Sequence, residues 1–210
     1  MKRASCRLPP ILRHVSPTPP AKPTLSLPNL SVYNARSLLP KISSFAIDVE
    51  ERATDISFIT EIWEQDENKK HQKKVEKLLE LKGIKYISKP RRNRLGGGAA
   101  IAVNLKSYSL SKLNVHVPTN VECVWGLAKP LKPNKSYSSF ICCSFYSPPD
   151  LHKNPALVDH MTVTLQNLLN THRDAGIFIC GDRNQIDISS QLIIDPSLNQ
   201  IVLQPTHTWM

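Results

Sequence analysis

Residues 84–104 read IKYISKPRRNRLGGGAAIAVN, and the architecture of the chain turns on them. Ile84–Lys89 is strand-like, and Ala99–Asn104 is an apolar strand-like run. Between them Pro90–Gly98 is a basic, glycine-rich tip, so the stretch reads as a hairpin. Three more strand candidates follow with no helix among them: Leu110–Val117, Val121–Lys129 and Ser138–Tyr146. Serial βαβ winding of one parallel sheet needs a helix at each return. The pattern instead predicts an α/β chain of two packed sheets with helices outside.

Helix signals flank this block. Pro40–Ala53 places Ile42, Phe45, Ala46 and Val49 at helical spacing, with Pro40 in the first turn. Asn68–Lys82 is highly charged, with Val75, Leu78 and Leu79 on one face, and predicts a surface helix. Asn154–Arg173 is the clearest helix. Asn154 caps it, Pro155 fits the first position, and Leu157, Met161, Leu165, Leu168 and Leu169 form its stripe. A short strand is expected at Leu30–Asn34 and buried strands at Ile56–Thr60 and Gly176–Cys180. After Gln191 the pattern weakens to short apolar pieces at Ile193–Ile194 and Ile201–Leu203. Met1–Pro28 holds seven prolines, which remove donors and stiffen the backbone. It reads as a disordered lead-in, with one domain spanning 29–210.

Composition narrows the classes. The 210 residues carry 27 Lys+Arg against 17 Asp+Glu, a formal net charge of +10, which favours polyanionic partners. No apolar run approaches the roughly 20 residues that span a bilayer, so no membrane partner is expected, and no obligate protein partner is indicated. The five cysteines include no C-x-x-C pair, which argues against zinc. Four of them sit in apolar runs and read as reduced, buried, small hydrophobes. With no secretory segment at the N-terminus, the expected location is the nucleus or cytoplasm, not the exterior.

The residues suited to chemistry stand at strand ends. They are Asn34, Glu61, Tyr146, Asp182 and Asn184. Taken singly, Asn34 and Asp182 read as turn formers, Glu61 as a solvated acid and Tyr146 as a packing aromatic. Strand ends that share one sheet edge, however, bring distant side chains to one rim. Two carboxylates there suit Mg²⁺, a hard cation that prefers oxygen, while Asn and Tyr can orient a phosphate.

The order of these motifs resembles the endonuclease/exonuclease/phosphatase superfamily, in particular the endonuclease domain of LINE-like (non-LTR) retrotransposons. The stretches that carry the resemblance are Asn34-Ala35-Arg36-Ser37-Leu38, Asp55-Ile56 through Thr60-Glu61-Ile62-Trp63, Arg94-Leu95-Gly96-Gly97-Gly98-Ala99-Ala100-Ile101, Tyr146-Ser147-Pro148-Pro149 and Gly181-Asp182-Arg183-Asn184. Gln200–Thr206 also resembles the segment that follows in retroelement domains. The resemblance implies a four-layer α/β sandwich of two mixed sheets with outer helices. It implies Glu61 as the ligand of Mg²⁺, with Mn²⁺ as the alternative, and Asn34 as support for the metal–phosphate geometry. Tyr146 would contact the scissile phosphate, Asp182 would orient or activate the attacking water, and Asn184 would hold the phosphate. DNA is the implied partner and nicking the implied activity.

Two departures qualify that expectation. Arg183 stands where the family pattern has an apolar residue. The family's late Ser-Asp-His stretch, whose His does general acid/base work, has no counterpart before Met210, and His207 lies too close to the previous motif to replace it. The expectation is therefore a sandwich lacking its last strands, with impaired catalysis. The alternatives are a noncatalytic nucleic-acid-binding remnant of the fold, or a phosphatase or phosphodiesterase of the same superfamily. The tip residues Lys89, Arg91, Arg92 and Arg94 read as a mobile cationic loop that touches phosphates nonspecifically. Its glycines are no P-loop, because no Gly-Lys-Ser/Thr follows.

Overall fold

The computed structural model describes residues 27–64, 69–92, 96–132, 137–148 and 154–184. Most of the proline-rich lead-in, Arg94 and all residues after Asn184, including Gln200–Thr206 and His207, lie outside the described residues.

Two mixed four-stranded sheets form the centre. The first contains β1 (Leu30–Asn34), β2 (Ile56–Thr60), β3 (Ile84–Lys89) and β4 (Ala99–Asn104), in the order β1-β2-β4-β3. The second contains β5 (Tyr108–Lys112), β6 (Glu122–Pro130), β7 (Ser139–Tyr146) and β8 (Ala175–Asp182), in sequence order. Helices α1 (Ile42–Glu51), α2 (Lys69–Glu80) and α3 (Pro155–Thr171) and a 3₁₀ turn at Leu39–Lys41 join them among the described residues. No helix among the described residues is long and apolar enough to cross a membrane.

Strand alternation builds the layers. On β4, Ile101 and Val103 pack between the sheets with Phe58, Val124 and Phe140. Ala100 and Ala102 point the other way, and their small size lets Phe45 and Val49 of α1 and Val75 and Leu79 of α2 close on the sheet. On the far side, Leu157, Met161 and Leu165 of α3 cover Cys123, Trp125, Ile141 and Cys143. The result is a helix–sheet–sheet–helix sandwich, four layers deep. Each buried Ile, Leu or Phe side chain contributes about 1.5–3 kcal/mol. α2 shows how little a helix needs: only Val75 and Leu79 are buried, and packing rather than propensity secures it.

The parallel pairs sit where helices intervene. β1 runs parallel to β2 across α1, and β7 runs parallel to β8 across α3. The directly connected neighbours β3/β4, β5/β6 and β6/β7 are antiparallel. Both parallel pairs aim their C-terminal ends at one rim, which in α/β sheets is where ligands bind.

Boundaries shift at three places. Residues 39–41 form a 3₁₀ turn ahead of α1 rather than its first turn. β8 runs on to Asp182. The strand expected at Leu110–Val117 instead lies at Tyr108–Lys112. Leu113, Val115 and Val117 still face the α3 side of the core, but the ladder with β6 ends at the Lys112–Gly126 pair. Alternation reported the buried face correctly and the backbone pairing incorrectly. The cap was read correctly: the Asn154 side chain accepts from the Leu157 N–H at 3.1 Å. Cys123, Cys142 and Cys143 are free and buried, and Cys180 is free and half-buried.

Candidate active site

The turn after β2 fixes Glu61. Glu61 and Trp63 both adopt left-handed backbone, with φ of 55° and 56°, on either side of the fully buried Ile62. Each such non-glycine residue costs about 1–3 kcal/mol and persists only where its surroundings enforce it. The enforcement comes from both flanks. The Ser37 N–H donates to the Glu61 carbonyl at 2.9 Å, and the Trp63 N–H donates to the Gly97 carbonyl at 3.1 Å. Glu64 then anchors the turn to β3. Its buried carboxylate accepts from the Tyr86 hydroxyl at 2.8 Å and the Ser88 hydroxyl at 2.7 Å.

The Glu61 carboxylate is crowded with donors. It accepts from the Gly97 N–H at 3.1 Å and from the Trp63 indole N–H at 2.5 Å, with the Tyr146 hydroxyl close by. Burial raises its pKa, but these donors and the nearby Arg91 charge outweigh burial and hold it below the usual carboxylate value. Tyr146 moves the opposite way. Burial, then its interaction with the nearby Glu61 carboxylate and that group's charge, raise its pKa well above the ordinary phenol value. At neutral pH the pair is a carboxylate and a protonated phenol.

Asp182 stands beside them. It is the register partner of Tyr146 across the parallel β7–β8 pair. One carboxylate oxygen receives the Asn34 side-chain N–H at 3.4 Å, linking the two sheets. The other receives the Asn184 backbone N–H at 3.1 Å. Asn184, at φ 46°, turns its amide back to donate to the Ser147 carbonyl at 2.5 Å. Gly181 is required by space: a Cβ there would lie 2.0 Å from the Phe145 carbonyl oxygen. Arg183, where an apolar residue was the family pattern, is half-buried beside Asp182. Asn34, Glu61, Tyr146, Asp182 and Asn184 thus meet at one rim.

Of the residues expected in a cationic loop at the hairpin tip, Arg91 is engaged internally. Arg91 is held by a 2.6 Å ion pair with Glu122, and both side chains are only 13% exposed. Its guanidinium lies 5.3 Å from the centre of the Tyr146 ring. Its Nη2 is buried without a hydrogen-bond partner among the described residues. The glycines are spent on carboxylates: Gly97 donates to Glu61, and Gly98 donates to Glu122 at 2.7 Å. Lys89 ends β3, and Arg92 is exposed. Both line a cleft of about 180 Å³ that also takes in Arg91, the turn at Thr119–Asn120, Glu122 and Pro148. Glu122 and Glu64 escaped the sequence reading. Glu122 opens an apolar strand run with no motif around it, and Glu64 lies past the motif that drew attention to Glu61.

The shape of the whole decides the comparison. The crystal structure of ANGEL2, a 2′,3′-cyclic phosphatase, matches at a TM-score of 0.53 and 16% identity, over 73% of this chain and 51% of that one. The mannosyl-6-phosphatase Bt3783 of Bacteroides thetaiotaomicron matches at 0.52 and 16%, over 78% and 69%. An endonuclease/exonuclease/phosphatase family protein of the same bacterium matches at 0.50 and 15%, over 78% and 65%. The chain has the endonuclease/exonuclease/phosphatase fold. It spans about half the length of the ANGEL2 chain that it matches. No family profile and no curated protein matches the sequence. Sequence identity this low transfers the endonuclease/exonuclease/phosphatase fold and leaves activity to be argued from the site.

Proposed function

We propose that the chain is a metal-dependent phosphodiesterase domain of the retroelement endonuclease type, acting on DNA. One observation carries this reading: a single tyrosine, Tyr146, lies within interaction range of the Glu61 carboxylate and is register-paired with Asp182, so two acids from two sheets flank one phenol. The retroelement assignment is supported by the order of the sequence motifs, and the DNA partner by the basic excess and the cationic cleft.

The donor set fits a hard divalent ion. Glu61 is ionised and offers oxygen. The described residues contain no cluster of three His, Cys, Asp or Glu side chains, which suits an ion that keeps several waters and takes one or two carboxylates. Glu61 would hold Mg²⁺ or Mn²⁺, with Asp182 close by. When bound, the ion supplies charge stabilisation at the phosphoryl and leaving oxygens. The chain's own groups divide the remaining work. Tyr146 stays protonated and donates a hydrogen bond to a phosphate oxygen. The amides of Asn34 and Asn184 orient that phosphate. Asp182 orients or activates the attacking water. Arg91 adds positive charge beneath Tyr146 without leaving its ion pair.

The test is supercoiled plasmid incubated with the chain and Mg²⁺, beside Glu61→Ala and a chelator. Nicking that disappears in both controls supports the reading. A folded chain that binds plasmid without nicking it leaves the noncatalytic alternative. Hydrolysis of small phosphate esters without nicking moves the assignment to a phosphatase.

A further inference from the structure

The indole of Trp63 is not explained by packing. It is 47% exposed and belongs to none of the core clusters, although tryptophan is the largest apolar side chain available. Its left-handed backbone is one that a bulky residue adopts only under constraint. The constraint fixes the ring. The backbone N–H is tied to the Gly97 carbonyl at 3.1 Å, and the indole N–H is tied to Glu61 Oε2 at 2.5 Å. Gly96 lies beside the ring, where a Cβ would be in ordinary contact with the indole nitrogen at 3.6 Å. One edge of the indole is therefore locked to the acid of the site while much of the ring stays open to solvent. Donating to Glu61 does not require an indole, because the Gly97 N–H already donates to the same carboxylate.

We propose that Trp63 is a stacking platform for an unpaired nucleobase next to the phosphate held at the rim. This rests on the nucleic-acid reading above and adds a substrate preference to it. Base–aromatic stacking tolerates any sequence, because every base has a π-face. It requires a base that is out of the duplex stack. The preferred substrate is then single-stranded or locally opened nucleic acid. Sugar phosphates and lipid headgroups present no such face.

The experiment compares the full chain's affinity for a single-stranded oligonucleotide with its affinity for an abasic oligonucleotide of equal length and phosphate number. Chelator is present, so that cutting plays no part. The expected wild-type preference for the base-bearing strand is about tenfold. Trp63→Ala should reduce that ratio to near one while leaving abasic affinity unchanged. Trp63→Phe, which keeps an aromatic face and loses the N–H, should retain most of the ratio. A wild-type ratio near one, a ratio that survives Trp63→Ala, or equal loss in Trp63→Phe and Trp63→Ala each overturns the platform while the nucleic-acid reading stands. Failure of the wild type to bind either strand overturns both. Unchanged circular dichroism and thermal midpoint establish that the variants are folded.

Discussion

Glu61 and Asp182 reach the same rim from different sheets, and they are held differently. Glu61 sits on a strained turn and takes two close donors, with the Tyr146 hydroxyl and the Arg91 charge near enough to act on it. Asp182 sits at the end of a regular strand and takes two, one of them long at 3.4 Å. The comparison separates two ways of placing an acid. One is pinned by neighbours that cannot move independently. The other is placed by strand register and retains freedom to turn towards a ligand.

The largest break in that comparison comes from Gly181→Ala. The added methyl meets a backbone oxygen that no side-chain rotation can clear. We expect a loss of about 3 kcal/mol in urea unfolding, with nicking lost along with the position of Asp182. Unchanged stability would mean that β8 does not pair with β7 as described.

Arg91→Ala should come next. It leaves the Glu122 carboxylate, only 13% exposed, without its cation. The expected cost is about 2–3 kcal/mol, and a double-mutant cycle with Glu122→Ala should return most of it as coupling. Additive effects would reduce the ion pair to a surface contact.

Gly97→Ala attacks the glutamate side alone. Its φ of 66° penalises any side chain, and the Cβ would lie 2.5 Å from both the Arg91 guanidinium carbon and Glu122 Oε2. These are side-chain atoms that can give way, so the expected cost is about 1–2 kcal/mol. Nicking should then need a higher Mg²⁺ concentration for half-maximal rate. Asn34→Ala should be the mildest, under about 1 kcal/mol, because its bond to Asp182 is long and exposed.

Much of this was legible in the sequence. The chain from Ile84 to Tyr146 lacked helices, and its directly connected strands proved antiparallel. The helices at Pro40–Ala53 and Asn154–Arg173 announced the two parallel crossovers. What could not be read was the order β1-β2-β4-β3, because β2 chooses β4 over its neighbour β3 through packing distant in sequence. The five rim residues were read from strand ends only jointly, through the motif order that carries the resemblance. Glu122 was not, because its meaning depends on Arg91 and Gly98, residues 31 and 24 positions away. The tip misled for a related reason. Its charge suggested a loop free for phosphate, and the fold uses Arg91 internally.

The turn at 61–64 allows a finer test, because its two acids shift in opposite directions. Glu61 lies below the usual value, so its contribution to stability is present above that value and fades as pH falls through its folded pKa. Burial raises Glu64, against the pull of Ser88 and Tyr86, so its contribution is complete below the usual value and fades as pH rises through its folded pKa. Urea unfolding across acidic pH should therefore flatten on the lower side in Glu61→Gln and on the upper side in Glu64→Gln. Identical profiles for both variants would remove the distinction.

The adjacent N–H groups of Gly97 and Gly98 are shared between carboxylates rooted in different sheets. Whatever displaces the hairpin tip must release both acids at once. In evolutionary terms the tip is then a joint constraint. Replacing either glycine disturbs two distant strands in one step, so change there must arrive with compensation at Glu61, Glu122 or Arg91.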